Sequence, residues 1–306
     1  MRIVVSGASG LIGTSLVEAL RLDGHEVVRL VRRPPSGPDQ VQWDPSAGRL
    51  DPAAVSGADA IVHLSGAGVG DRPWTSRYKA TIIDSRVDTT TTIATAAARA
   101  ETPPRILISA SAVGWYGDTG DRVVREGEPA GRGFLPDVCR AWEASTTPAA
   151  DAGLRVVHLR TGLVLGPGGL LGRLVPLFKA GLGGRLGSGR QYWPWISLRD
   201  EVAAIQFLLT ADDVCGPVNL TGPEPVTNAE FTAELARQVH RPALVAVPGF
   251  ALRLALGGFA NEGVLVSQRV VPGVLLDHGF TFTDATLSSA LGYALGSPSA
   301  AATDAA

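Results

Sequence analysis

The run Gly7-Ala8-Ser9-Gly10-Leu11-Ile12-Gly13 has the composition of a phosphate cradle. It follows an apolar strand at residues 3–5 and opens an amphipathic helix at residues 12–22. In such a loop the first glycine permits a tight turn and the second lets the backbone approach a pyrophosphate. The third lets helix and strand pack closely. The helix N-terminus begun by Leu11 and Ile12 favours the negative charge, and Ser9 adds a hydroxyl. A glycine pattern alone also fits a plain tight turn. The order strand, loop, helix, second strand is what points to a dinucleotide.

The end of the second strand tells which dinucleotide is expected. A site for NAD usually carries an acid there that accepts from the ribose 2′-hydroxyl. This strand, Glu26–Val31, ends in Arg32 and Arg33 instead. The planar fork of an arginine suits a 2′-phosphate, so the expected cofactor is NADP(H). The plainer alternative makes both arginines solvated loop charges. His63, at the end of the next strand, reads as a cofactor contact or as a core histidine bonded to backbone. Leu64, Ser65, Gly66 and Ala67 after it are small enough, as a group, to let a cofactor come near.

The elements that must hold these residues alternate. Strands are expected at residues 58–64, 105–109, 155–160 and 217–220, with helices at 84–98, 136–150 and 202–209. Short apolar strands separated by helices imply right-handed crossovers and a doubly wound parallel sheet, an α/β Rossmann-type fold. Residues 1–165, completed by about 196–222, are expected to form the dinucleotide-binding domain. Residues 166–195 and 223–296 would form a smaller C-terminal substrate lobe, and 297–306, small and polar, a disordered tail. The stretch 245–260, broken by Pro248, Arg253 and two glycines, reads as a core or groove helix rather than a membrane span.

Composition limits the rest. Hydrophobic residues make up 45% of the 306 residues, enough for a sizeable core. The formal net charge of −2 gives no general case for nucleic acid or an acidic membrane as partner. Cys139 and Cys215 fit no zinc spacing and no disulfide framework, so no metal is expected, and both read as buried free thiols of a reducing cytoplasm. A secretory leader is not expected from the N-terminal pattern.

Several further segments carry a resemblance. They include His63-Leu64-Ser65-Gly66-Ala67, Trp74 through Lys79 to Ser85-Arg86-Val87, and Ser109-Ala110-Ser111-Ala112-Val113-Gly114-Trp115-Tyr116-Gly117. Cys139-Arg140-Ala141-Trp142-Glu143, Arg160-Thr161-Gly162 and Gly187-Ser188-Gly189-Arg190-Gln191 belong with them, as do Trp195-Ile196-Ser197, Asp200 and Pro223-Glu224-Pro225-Val226. With the glycine loop, they resemble an atypical branch of the extended short-chain dehydrogenase/reductase superfamily, the epimerase family proteins. The resemblance runs from Met1 to about Leu291. It implies that Ser109 and Arg160 join the cofactor site.

The superfamily's usual chemistry uses a Tyr-x-x-x-Lys pair, in which tyrosine moves a proton and lysine lowers its pKa and holds the ribose. This chain has no such pair. Its only lysines are Lys79 and Lys179, and Thr75 and Val175 stand four residues before them. Aligned on Glu143, Leu135 stands at the tyrosine position and Cys139 at the lysine position. A thiol there could in principle titrate. The substitutes the resemblance suggests are Ser111, matching the catalytic serine, Tyr116 as a proton donor, and Lys79, with Arg86 also near the cleft. Each has a structural alternative: a cap or turn for Ser111, packing for Tyr116, surface charge for Lys79 and Arg86. Glu143 reads as a partner for an arginine, and Asp200 as a helix cap. Residues 183–195 read as a flexible loop whose arginines and aromatics suit an anionic or nucleotide-linked ligand, or as a structural loop with buried tryptophans.

Two functions follow. One is an NADP(H)-dependent oxidoreductase or epimerase with non-standard acid–base groups, acting on a small molecule as a monomer or homodimer. The other is a non-catalytic NADP(H)-binding redox sensor or partner-regulating protein.

Overall fold

The computed structural model describes residues 1–296; the expected disordered tail at 297–306 lies outside them. Two compact units partition the chain. The first comprises Met1–Trp115, Gly133–Arg160 and Val202–Val218; the second comprises Tyr116–Arg132, Thr161–Glu201 and the described residues from Asn219 onward.

A seven-stranded sheet organises the first unit. Its strands are β1 (Arg2–Ser6), β2 (Glu26–Val31), β3 (Gln40–Gln42), β4 (Ala60–His63), β5 (Ile106–Ala112), β6 (Arg155–Thr161) and β7 (Gly216–Leu220), in the order β7-β6-β5-β4-β1-β2-β3. The pairs from β3 to β5 run parallel. Helices α1 (Leu11–Leu22), α2 (Ser76–Ala98), α3 (Phe134–Ala144) and α4 (Leu198–Thr210) connect the strands. This is the Rossmann-type α/β fold. Val4, Ile61 and Leu107 of the central strands pack with Ile93 and Ala97 of α2, all fully buried. Such two-sided burial is why these strands read as continuous β-branched runs.

Strand order reverses between β1 and β4, so chain connections diverge to either side and leave a crevice at the strands' carboxyl ends. Register aligns Ser6 with His63 and His63 with Ser109 at that edge. Two elements differ from expectation there. The short edge strand β3 has no periodic signal in its polar sequence, and α2 begins eight residues earlier than the apolar pattern, at Ser76, where Thr75 caps it by accepting from the Tyr78 amide.

In the second unit Trp193, Trp195, Phe231, Leu235 and Leu291 form a separate core. Residues 183–195 are not a flexible loop. They fold into the short strands Gly184–Leu186 and Tyr192–Trp193, and the Trp193 indole donates to Val264 O. Asp200 is not the cap of its helix: Ser197 Oγ accepts from the Asp200 amide, and the Asp200 carboxylate accepts from the amides of Thr283 and Asp284. Residues 245–260 are not a core helix either. They form strand Val245–Val247 and helix Gly249–Leu256, on which Phe250 is 72% and Leu254 88% exposed.

Candidate functional site

The glycine loop takes the shape its sequence demands. Gly7 has φ +71°, and a Cβ there would come within 2.7 Å of the Leu64 carbonyl. A Cβ on Gly13 would stand 2.2 Å from Gly7 O, so only glycine lets α1 lie this close to β1. Gly10 begins α1 with no side-chain cap, leaving first-turn N–H groups without the usual side-chain acceptor.

These residues open on a cavity of about 1150 Å³. Gly7, Ala8, Ser9 and Gly10 line it, as do Arg32 and Arg33 from the end of β2 and Leu64 to Ala67 from the loop after β4. Ser85, from a segment that carries the resemblance, also lines it, as do Thr14, Trp43, Ser46, Thr81 and Thr89, which were not singled out in the sequence. Thr14 lies one turn beyond Gly10, a spacing that could have revealed it. The others come from β3's loop and from α2, whose placement depends on tertiary packing.

Arg32 makes no hydrogen bond or ion pair among the described residues, whereas Arg33 donates to Pro34 O and Ser36 Oγ at 3.3 and 3.1 Å. Arg29 also faces the cavity but is paired with Asp39 at 2.7 Å. Arg32 is therefore the arginine of this rim with its fork open. The uncapped helix start, the side-chain-free loop and the open guanidinium fit a phosphorylated dinucleotide. Among the described residues, no group of three or more His, Cys, Asp or Glu is arranged to hold a metal ion.

Other sequence candidates lie elsewhere. Leu11 and Ile12 start α1 without lining the cavity. His63 is fully buried: its Nδ1 lies 2.6 Å from Ser6 Oγ and its Nε2 2.9 Å from Thr90 Oγ1. Burial pulls its pKa down to about 3, so it is a neutral bridge joining β1, β4 and α2 beneath the loop. Ser109 is fully buried beside it. Arg160 is also buried. It grips Glu143 with two bonds, Nε to Oε1 at 2.8 Å and Nη2 to Oε2 at 2.9 Å, and stacks 3.9 Å from the Trp115 ring.

The catalytic candidates are all engaged. Ser111 Oγ donates to Glu143 Oε1 at 2.7 Å. Tyr116, 4% exposed, donates to Asn219 Oδ1 at 2.6 Å. Lys79 Nζ sits over Trp74 and Phe134, 5.3 and 4.6 Å from the ring centres. Leu135 and Cys139 pack on Gly114, where a Cβ would stand 3.4 Å from Leu135 Cβ and 3.6 Å from Cys139 Sγ. Burial, with the Glu143 carboxylate adding to it, pushes the Cys139 thiol up to about 12, so it cannot titrate as a lysine substitute near neutrality. Cys215, by contrast, is exposed rather than buried.

Fold and cavity define a dinucleotide-binding Rossmann protein. The chain belongs to the NAD dependent epimerase/dehydratase family, which matches residues 3–221, and a domain of unknown function, DUF1731, matches 247–294. It is 49% identical to epimerase family protein Mb2239 of Mycobacterium bovis over 297 residues, covering 97% of this chain and 98% of that one. Human epimerase family protein SDR39U1, solved with NADPH, superposes with a TM-score of 0.90 at 31% identity, over 97% of this chain and 99% of that one. A Corynebacterium glutamicum structure described as a nucleoside-diphosphate sugar epimerase gives a TM-score of 0.80 at 36% identity, over 97% of this chain and 58% of that one. These relatives place the chain in the atypical epimerase branch of the short-chain dehydrogenases/reductases. Among the described residues no helix is long and apolar enough to cross a membrane.

Proposed function

We propose that this chain binds NADP(H) in its first unit and acts as an oxidoreductase or epimerase on a small or nucleotide-linked carbonyl or hydroxyl compound recognised by its second unit. The observation that carries the reading is a cavity bordered both by an uncapped helix start and by Arg32, which has no partner among the described residues. Residues Gly7 to Gly10 and the first N–H groups of α1 would hold the pyrophosphate, and Arg32 the 2′-phosphate. The human relative solved with NADPH supports the cofactor, and the Corynebacterium relative's description supports a nucleotide-linked substrate.

When bound, the dinucleotide supplies a hydride donor or acceptor at its nicotinamide. The protein's part is orientation and the proton. Ser111, at the carboxyl end of β5, is the best-placed group for the substrate oxygen. While its hydrogen points to Glu143, its Oγ can only accept. To donate it must turn away, and the two bonds from Arg160 then keep the carboxylate in place. A second reading, a non-catalytic NADP(H) sensor, is favoured by the engagement of Ser111, Tyr116 and Lys79 alike.

Titration with NADPH and NADH, read by tryptophan-to-nicotinamide energy transfer, tests the cofactor. Arg32→Ala should weaken NADPH by about 1.5–3 kcal/mol, the range for a hydrogen bond to a charged group, and leave NADH nearly unchanged. Equal losses would sink the assignment of Arg32. A panel of carbonyl compounds tests the chemistry: NADPH consumption lost in Ser111→Ala supports the enzyme, and tight binding without turnover supports the sensor.

A further inference from the structure

Arg86 is a buried cation with no carboxylate partner among the described residues. It is 8% exposed. Its Nη1 donates to Ala67 O at 2.9 Å and to Ile82 O at 3.0 Å. The preceding residue, Ser85, accepts from the Ala67 amide at 3.1 Å. Adjacent residues of α2 thus hold both polar backbone groups of Ala67, in the loop that lines the cavity. The guanidinium is wedged between that loop and α3. A Cβ on Gly66 would come within 3.3 Å of Cζ, and the Trp142 ring centre lies 4.6 Å away on the other side.

Its Nε and Nη2 make no hydrogen bond among the described residues. The Trp142 indole Nε1 is buried and also lacks a partner. An enclosed indole donor of this kind is costly unless an acceptor arrives. Arg86 Nε and Nη2 are not sealed off in the same way, so their donors stay open to an incoming acceptor. Arg160 shows the contrast, since the Glu143 carboxylate takes two bonds from its guanidinium. Arg86 is also near enough to Cys139 for its field to oppose the burial of that thiol. It therefore brings positive charge to the place where α3 has a cysteine and no lysine.

We propose that Arg86 donates from α2 to the ribose hydroxyls of the nicotinamide half of the bound dinucleotide. The inference rests on the NADP(H) reading. The glycine loop and Arg32 account for the phosphates, whereas Arg86 lies behind Gly66 on the β4 side of the strand-order reversal. A dinucleotide crosses that reversal to place its second half. Two neighbouring hydroxyls present the paired oxygens that an arginine fork matches.

The test uses the full chain with two ligands, NADPH and adenosine 2′,5′-bisphosphate, which lacks the nicotinamide riboside. Arg86→Gln should weaken NADPH about ten- to a hundredfold, as for loss of a charge-assisted hydrogen bond, and leave the bisphosphate within about twofold. Arg86→Lys should fall between wild type and Arg86→Gln on NADPH alone, and it carries the same test if Arg86→Gln does not fold. Unchanged NADPH affinity overturns the proposal. So does an equal loss on both ligands, which would make Arg86 only a clamp on Ala67. Wild-type protein that binds neither ligand overturns the NADP(H) reading itself, a result distinct from these.

Discussion

Glu201 gives the sharpest prediction about stability. It lies on α4, fully buried, with Oε1 accepting from Thr161 Oγ1 at 2.9 Å and Oε2 without a partner among the described residues. Burial pushes its pKa from 4.5 to about 8. The folded state therefore holds a proton that the unfolded state releases between those values. The stability that this group contributes is fully present below pH 4.5 and declines as pH rises to about 8. The slope in this window is about 1.4 kcal/mol per pH unit at most, the value for one proton, and water entering the site would narrow the window rather than steepen the slope. Glu201→Gln keeps the shape and removes the titration. Denaturant melts of both proteins from pH 5 to 8 should therefore diverge, with the variant gaining relative stability as pH rises. Parallel stability curves would refute the argument, because they would mean that Glu201 ionises as readily folded as unfolded.

Three further outcomes are expected. In a thiol titration of the native protein near neutral pH, Cys215 should react promptly and Cys139 only on unfolding; two fast thiols would contradict the burial of Cys139. Tyr116→Phe strands Asn219 Oδ1 and should cost about 1–3 kcal/mol in melts while leaving NADPH affinity unchanged, whereas a loss of affinity would place Tyr116 at the cofactor. Gly13→Ala forces a Cβ against Gly7 O and should destabilise the fold by about 2 kcal/mol or more; a neutral result would mean that α1 can move away without penalty.

The sequence made the candidate dinucleotide site legible because its code is local. Turn, close approach and helix start are written in consecutive residues, Gly7 to Gly13. The stretch after β4 that lines the cavity, Leu64 to Ala67, is legible for the same reason. What side chains do at long range is not local. Ser111 meets Glu143 across 32 residues and Tyr116 meets Asn219 across 103, so candidates for proton transfer proved to be already hydrogen-bonded. Lys79 looked free for the same reason, since Phe134 comes to it from another helix. His63 and Arg160 have residue types suited to chemistry, and only packing reveals them as a buried bridge and a closed ion pair. The exposed face of Phe250 and Leu254 misled in the opposite sense, because an apolar run signals burial only when another surface covers it.

The interleaving of the two units bears on how the chain is made. The first unit needs Val202–Val218 to complete itself, after a long stretch that belongs to the second. During synthesis β6 emerges well before β7, its sheet neighbour, and meanwhile presents an unpaired edge. The cofactor end of the sheet, β1 to β5, is already available by residue 112. A nascent chain arrested between residues 161 and 216 should thus hold a formed glycine loop beside an open, aggregation-prone margin, and chaperone dependence should be greatest in that interval.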